Sequence, residues 1–133
     1  MHWMLMPLRR YAEFSGRSRR KEFWMWVLFN TLLSTVLAII GIWGAEERLF
    51  SSEEELTLYF ACTLGLWSLI VFIPNLALVV RRLHDTDRSG WNILWGLVPA
   101  IGGFILLYFY VTEGTRGPNR YGPDPKGDTS AFS

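Results

Sequence analysis

The chain has 133 residues, a formal net charge of +1, 50% hydrophobic residues and 19% charged ones. These averages fit a soluble protein, but the charges are gathered in clusters between three long charge-free runs. That arrangement excludes a soluble helical bundle, whose helices need a polar face at every third or fourth position.

Residues 3–14 alternate Trp3, Met6, Tyr11 and Phe14 with Arg9, Arg10 and Glu13, the pattern of a short interfacial amphipathic helix that lays its apolar side at headgroup depth. Ser15 and Gly16 are expected to end it, with Ser18 as N-cap of the next helix. Arg17, Arg19, Arg20 and Lys21 then gather before the first charge-free run, Phe23 to Ala45. That run exceeds the roughly 7–15 apolar residues of a signal peptide and reads as a retained anchor. The following loop, Glu46 to Glu55, holds five Glu and one Arg. A second run, Leu56 to Val80, contains the only cysteine, Cys62, so no intramolecular disulfide and no Cys-based metal site can form. The third, Ser89 to Thr112, carries Pro99, Gly102 and Gly103 near its middle. A helix rises 1.5 Å per residue, so about 20 apolar residues cover the roughly 30 Å hydrocarbon core, and each run is long enough to cross. The expected architecture is therefore all-α: a small polytopic membrane domain over residues 1–126 with three transmembrane helices (about 23–45, 56–80 and 89–112) behind the interfacial helix. A Gly- and Pro-rich tail motif (113–126) and a disordered end (127–133) follow.

Lys and Arg near the spans set orientation. The basic cluster ahead of the first span puts the N-terminus in the cytoplasm, and Arg81, Arg82 and Arg88 agree with a return there after the second. Three crossings place the tail outside, against the charge of Arg116, Arg120 and Lys126. A re-entrant hairpin in the third run removes that conflict, provided protein shields its backbone. Three crossings are preferred here because early positive charges usually dominate topology. Asn30, Asn75 and Asn92 lie in the cytoplasmic halves of their spans, and at least two are expected to bond across helices or to backbone freed by Pro74. The absence of Asp, Glu, Lys and Arg inside the runs argues against a proton relay, a pump or a voltage sensor.

The connection Arg81-Arg82-Leu83-His84-Asp85-Thr86-Asp87-Arg88-Ser89-Gly90-Trp91 concentrates ionisable groups. His84, Asp85 and Asp87 supply too few converging ligands for a metal, and no cofactor is indicated. As a structural turn, Asp85 or Asp87 pairs with Arg82 or Arg88, Ser89 caps the third helix and Trp91 joins the aromatic belt.

Gly16-Arg17-Ser18-Arg19-Arg20-Lys21-Glu22-Phe23-Trp24, the Arg81–Trp91 connection and Asn119-Arg120-Tyr121-Gly122-Pro123-Asp124-Pro125, in this order and spacing, resemble the bacterial domain of unknown function 805 family. The resemblance covers nearly the whole chain. It implies a small protein of the bacterial inner membrane and carries over no catalytic or binding residue. Two functional readings follow. One is a scaffold or accessory subunit whose basic cytoplasmic face contacts acidic lipid, another membrane protein or a second copy. The other is a membrane enzyme or binding protein for an anionic headgroup or small ligand, in which Arg20, Arg82 and Arg88 hold the anion while His84 and Asp85 transfer protons. The candidate contact residues are Arg17, Arg20, Arg82, His84, Asp85, Asp87, Arg88 and Arg120. Nucleic acid is not an expected partner, since the basic patches are short and adjoin the lipid surface.

Overall fold

In lipid, backbone polar groups are satisfied within a helix, so the long apolar runs become helices. The structure, a computed structural model, describes residues 2–47 and 49–127; most of the expected disordered end lies outside them. It comprises α1 (His2–Arg9), α2 (Arg20–Glu46), α3 (Glu53–Asp85), a 3₁₀ helix (Gly90–Leu97) and α4 (Gly102–Val111). The described residues contain no β-strand, only an isolated bridge between Asn119 and Gly122.

α2 and α3 hold the first two charge-free runs and form an antiparallel pair of membrane-crossing length. Ser52 opens α3 by accepting from Glu55 N, while the Glu55 carboxylate accepts from Ser51 N at 2.6 Å. A Schellman motif closes α3, with Asp87 N donating to His84 O and Arg88 N to Leu83 O, both at 3.0 Å. Asp87 takes the left-handed position usually given to glycine (φ 57°), which a short polar side chain tolerates. Ser18 does not cap α2: Arg19 occupies the N-cap, with its side chain donating to Pro125 O at 2.5 Å and not capping the helix, and among the described residues the Ser18 hydroxyl is buried without a partner.

The third run departs from the expectation of a single crossing helix. Proline lacks an N–H and biases the preceding residue to extended backbone, and Val98, at φ −81° and ψ 114°, ends the 3₁₀ helix there. The chain then doubles back. Arg88 lies 4.2 Å over the Phe109 ring, and a Cβ on Gly102 would stand 1.9 Å from Trp95 O, so glycine is required where the arms meet. Both ends of the hairpin lie at the same end of α3: Gly90 abuts Val80, and Arg20 Nη1 donates to Val111 O at 2.9 Å. With 10 residues, α4 reaches only about 15 Å, half a bilayer core.

α1 packs on α2 and α3, and its Leu8 joins Phe23, Trp26, Val71 and Leu78 in the core. It ends at Arg9, short of the expected residue 14. Pro74 inside α3 cannot donate to Ile70 O, and the Tyr11 hydroxyl fills that vacancy at 2.7 Å. Asn75 and Asn30 do bond across helices, accepting from Trp26 Nε1 at 2.5 Å and from Trp67 Nε1 at 3.2 Å.

Candidate functional site

The end of α3 is the meeting point of all three sequence motifs. A helix leaves its last four carbonyls without internal partners, and the Asp85 carboxylate projects beside them. The neighbouring segments supply donors: Ser18 N to Arg81 O at 3.1 Å, Asn119 Nδ2 to His84 O at 2.9 Å and Thr115 N to Asp85 O at 2.7 Å. The loop before α2 and the tail thus complete the helix terminus.

Two buried arginines tie the segments together. Arg17 donates through Nε to Asp85 Oδ1 at 3.0 Å, through Nη1 to Gly117 O at 2.6 Å and through Nη2 to Thr115 O. Arg82 donates through Nη1 to Asp85 Oδ2 at 2.5 Å, through Nε to Tyr110 O at 3.2 Å and through Nη2 to Thr112 O. Together with Arg20 on Val111 O, Arg82 brings cationic donors to the final carbonyls of α4, where the helix dipole is negative. The Arg17, Arg82 and Asp85 side chains are 1%, 0% and 5% exposed, so none presents its charge to a headgroup. Gly114 sits so close to Asp85 that a Cβ there would lie 2.0 Å from Oδ2.

A second buried pair, Arg81 and Glu22 at 3.3 Å, lies alongside, with the exposed Glu13 carboxylate 3.9 Å from Arg81. Glu13 is gripped more closely by Arg10, through two bonds of 2.6 and 2.7 Å that hold its carboxyl below the usual carboxylate range. Among the described residues, Arg81 Nε and Nη1 have no hydrogen-bond partner.

His84 is committed on two sides. Its Nδ1 lies 3.1 Å from Gly16 O, an acceptor that requires the proton on that nitrogen, and its ring stacks on Tyr121 with centroids 3.9 Å apart. Asp87 accepts from Arg120 Nε at 3.1 Å on the exposed rim. Arg88 covers Phe109 instead of pairing with either aspartate. The tail is pinned from below by Asp124, whose carboxylate accepts from Gly117 N at 2.9 Å and Lys126 N at 2.8 Å and is thereby held below its ordinary pKa. Lys126 likewise lowers the pKa of Glu113 at 2.9 Å.

His84, Asp85 and Asp87 therefore converge on no common opening. A 240 Å³ cavity beside Arg17 is lined by cations (Arg17, Arg116, Lys126) and by as many carboxylates (Asp85, Glu113, Asp124), with no charge bias toward an anion. A 390 Å³ groove between α3 and the hairpin is walled mainly by Phe14, Leu76, Val80, Trp91 and Ile93, with His84 and Ser89 at its edge. Among the described residues no cluster of three or more His, Cys, Asp or Glu could hold a metal ion. The sequence reading missed Arg81, Glu22 and Gly114; it also missed the carbonyls that the arginines bind, which no side-chain motif displays.

The family model described as a protein of unknown function (DUF805) matches residues 11–123. Inner membrane protein YhaI of Escherichia coli K12 is 47% identical over 127 residues, covering 95% of this chain and 97% of the relative. Inner membrane protein YhaH of the same strain is 41% identical over 126 residues, covering 95% and 98%. The uncharacterized protein YiiR from that strain is 29% identical over 137 residues, covering 84% and 85%. No solved structure matches.

Proposed function

The chain belongs to the DUF805 family, and from that premise we propose that it is a non-catalytic scaffold or accessory subunit of the bacterial inner membrane. In this reading α2 and α3 cross, the third run is re-entrant, and both termini face the cytoplasm. The carrying observation is the closed ion-pair network, in which His84, Asp85 and Asp87 are spent on Gly16, Arg17, Arg82, Tyr121 and Arg120. A hairpin also resolves the charge conflict, because Arg116, Arg120 and Lys126 then lie on the same side as Arg17 to Lys21 and Arg81 to Arg88. The glutamate-rich loop occupies the opposite side. Arg9, Arg20 and Arg116 are exposed and supply the face that attracts acidic lipid, each cation contributing about 1 kcal/mol near such a surface.

The test is native mass spectrometry of protein released from nanodiscs of mixed phosphatidylglycerol and phosphatidylethanolamine. Retention of phosphatidylglycerol that falls in Arg9→Gln/Arg20→Gln/Arg116→Gln and persists in His84→Ala supports the reading. Unchanged retention in the triple variant, or loss in His84→Ala with the fold intact, overturns it. A reporter after Ser133 tests orientation separately, and an external tail would refute the re-entrant topology.

A further inference from the structure

The hairpin tip poses a physical problem within one chain. Residues 98–101 belong to no helix, and Leu97, Ile101 and Phe104 around them are 79%, 55% and 75% exposed. Among the described residues, the carbonyls of Leu97 and Ala100 accept no backbone hydrogen bond. The tip stands up to about 15 Å above the charged base, near the bilayer midplane, where irregular backbone persists only when protein or a polar cavity covers it.

A matching surface adjoins it. A 490 Å³ groove between α2 and α3 includes Trp26, Asn30, Ser34, Trp67, Ser68 and Asn75 in its lining, and no residue of the hairpin contributes. Trp26, Trp67, Asn30 and Ser68 donate within the chain, whereas among the described residues neither the Asn75 amide N–H groups nor the Ser34 hydroxyl donates. Those two donors lie about 9 Å from Arg81 and about 18 Å from Glu22 along their helices, bracketing the depth of the tip. Phe23, which lines the base of the groove, packs on Tyr110 of α4 with ring centroids 4.7 Å apart. Tip and groove therefore share one face, and a two-fold axis on that face seats each tip in the partner's groove.

We propose that the protein is a two-fold dimer in which the Pro99 hairpin tip of each copy fills the α2/α3 groove of the other and takes hydrogen bonds from Asn75 and Ser34. A second copy meets the tip's need for donors and the groove's need for acceptors at one depth; a lipid chain meets neither. The inference rests on the re-entrant membrane topology proposed above, so the tail-side reporter is scored in the same cells.

The experiment uses the full chain in a Cys62→Ser background. Leu97→Cys and Ser34→Cys are placed on separately tagged copies, co-expressed, and oxidised in native membranes. A disulfide-linked band carrying both tags is expected, with none when Leu97→Cys is paired with Leu69→Cys on the 72% exposed face of α3. No mixed band, with both proteins inserted and the tail cytoplasmic, overturns the dimer alone; an external tail overturns the topology beneath it. Ser34→Phe, which fills the groove, is expected to weaken association in a bilayer energy-transfer titration by roughly tenfold. Asn75→Leu is expected to weaken it by roughly threefold. Unchanged association in both inserted variants also overturns the proposal.

Discussion

The two ends of the α2/α3 pair are built on different physics. At the base, Arg17, Arg82 and Asp85 are removed from solvent and each side chain contacts a different segment of the chain, so the fold there depends on complete charge pairing. At the far end, Gly41 lets α2 approach Tyr59 and Phe60, Tyr59 donates to Leu37 O at 3.1 Å, and Phe50 packs on Tyr59 with ring centroids 5.5 Å apart. Apolar packing loses stability in small steps, whereas a buried charge that loses its partner is uncompensated. The base should therefore be brittle and the far end tolerant.

Asp85→Leu breaks the comparison most severely. It strands two buried guanidinium groups, and losing one partner of a buried pair typically costs about 3–5 kcal/mol. Thermal unfolding in detergent should show the variant unfolded or strongly destabilised; near-native behaviour would mean the pairing is dispensable. The same change made at both ends sharpens the contrast. Gly114→Ala places a methyl 2.0 Å from a fixed carboxylate oxygen, whereas Gly41→Ala meets ring edges at 2.7 Å that can rotate. The first is expected to lose about 3 kcal/mol and the second about 1 kcal/mol, within the range of overpacking costs. Equal losses would remove the distinction between the ends.

Legibility in the sequence followed the same division. The two long apolar helices were readable because hydrocarbon imposes one rule over the whole length of such a segment, the absence of charge. The Asp85–Arg82 pair was readable only as one of several pairings open to a short turn, and it became specific because α3 runs on through Asp85 and sets the two residues three apart on one helix. Arg17 on Asp85, 68 residues away, was not readable, since its position depends on the tail returning to the base. That return hangs on Pro99 and the glycines after it. Such residues are tolerated in straight membrane helices, so their presence left hairpin and crossing both open; the charges ahead of the first run favoured a crossing and those of the tail favoured a return.

Tyr11→Phe probes the boundary between the two regimes, because the hydroxyl serves a carbonyl freed by Pro74 within the apolar length of α3. Interhelical hydrogen bonds in lipid average about 0.6 kcal/mol, and a loss of that size is expected in reversible unfolding. A loss near 3 kcal/mol would extend the brittle zone into the membrane.

The smallest effect concerns the exposed rim of the base, where pairing is screened by water. Asp124 accepts from Gly117 N and Lys126 N, bonds made to its charged form, so its folded pKa lies below its ordinary value of 3.8. A carboxyl depressed on folding adds stability that is fully present above its unfolded pKa and lost as pH falls through the folded one. Tail docking should therefore be constant from neutral pH to about 5 and loosen below roughly 4. A spin label at Gly127→Cys, in the Cys62→Ser background, reads this as a gain in mobility on acidification. Asp124→Asn should be mobile at neutral pH and insensitive to acid. If the label stays immobile on acidification, with Asp124→Asn behaving like the parent, the tail is held by its other contacts, the His84–Tyr121 stack among them, and Asp124 is incidental.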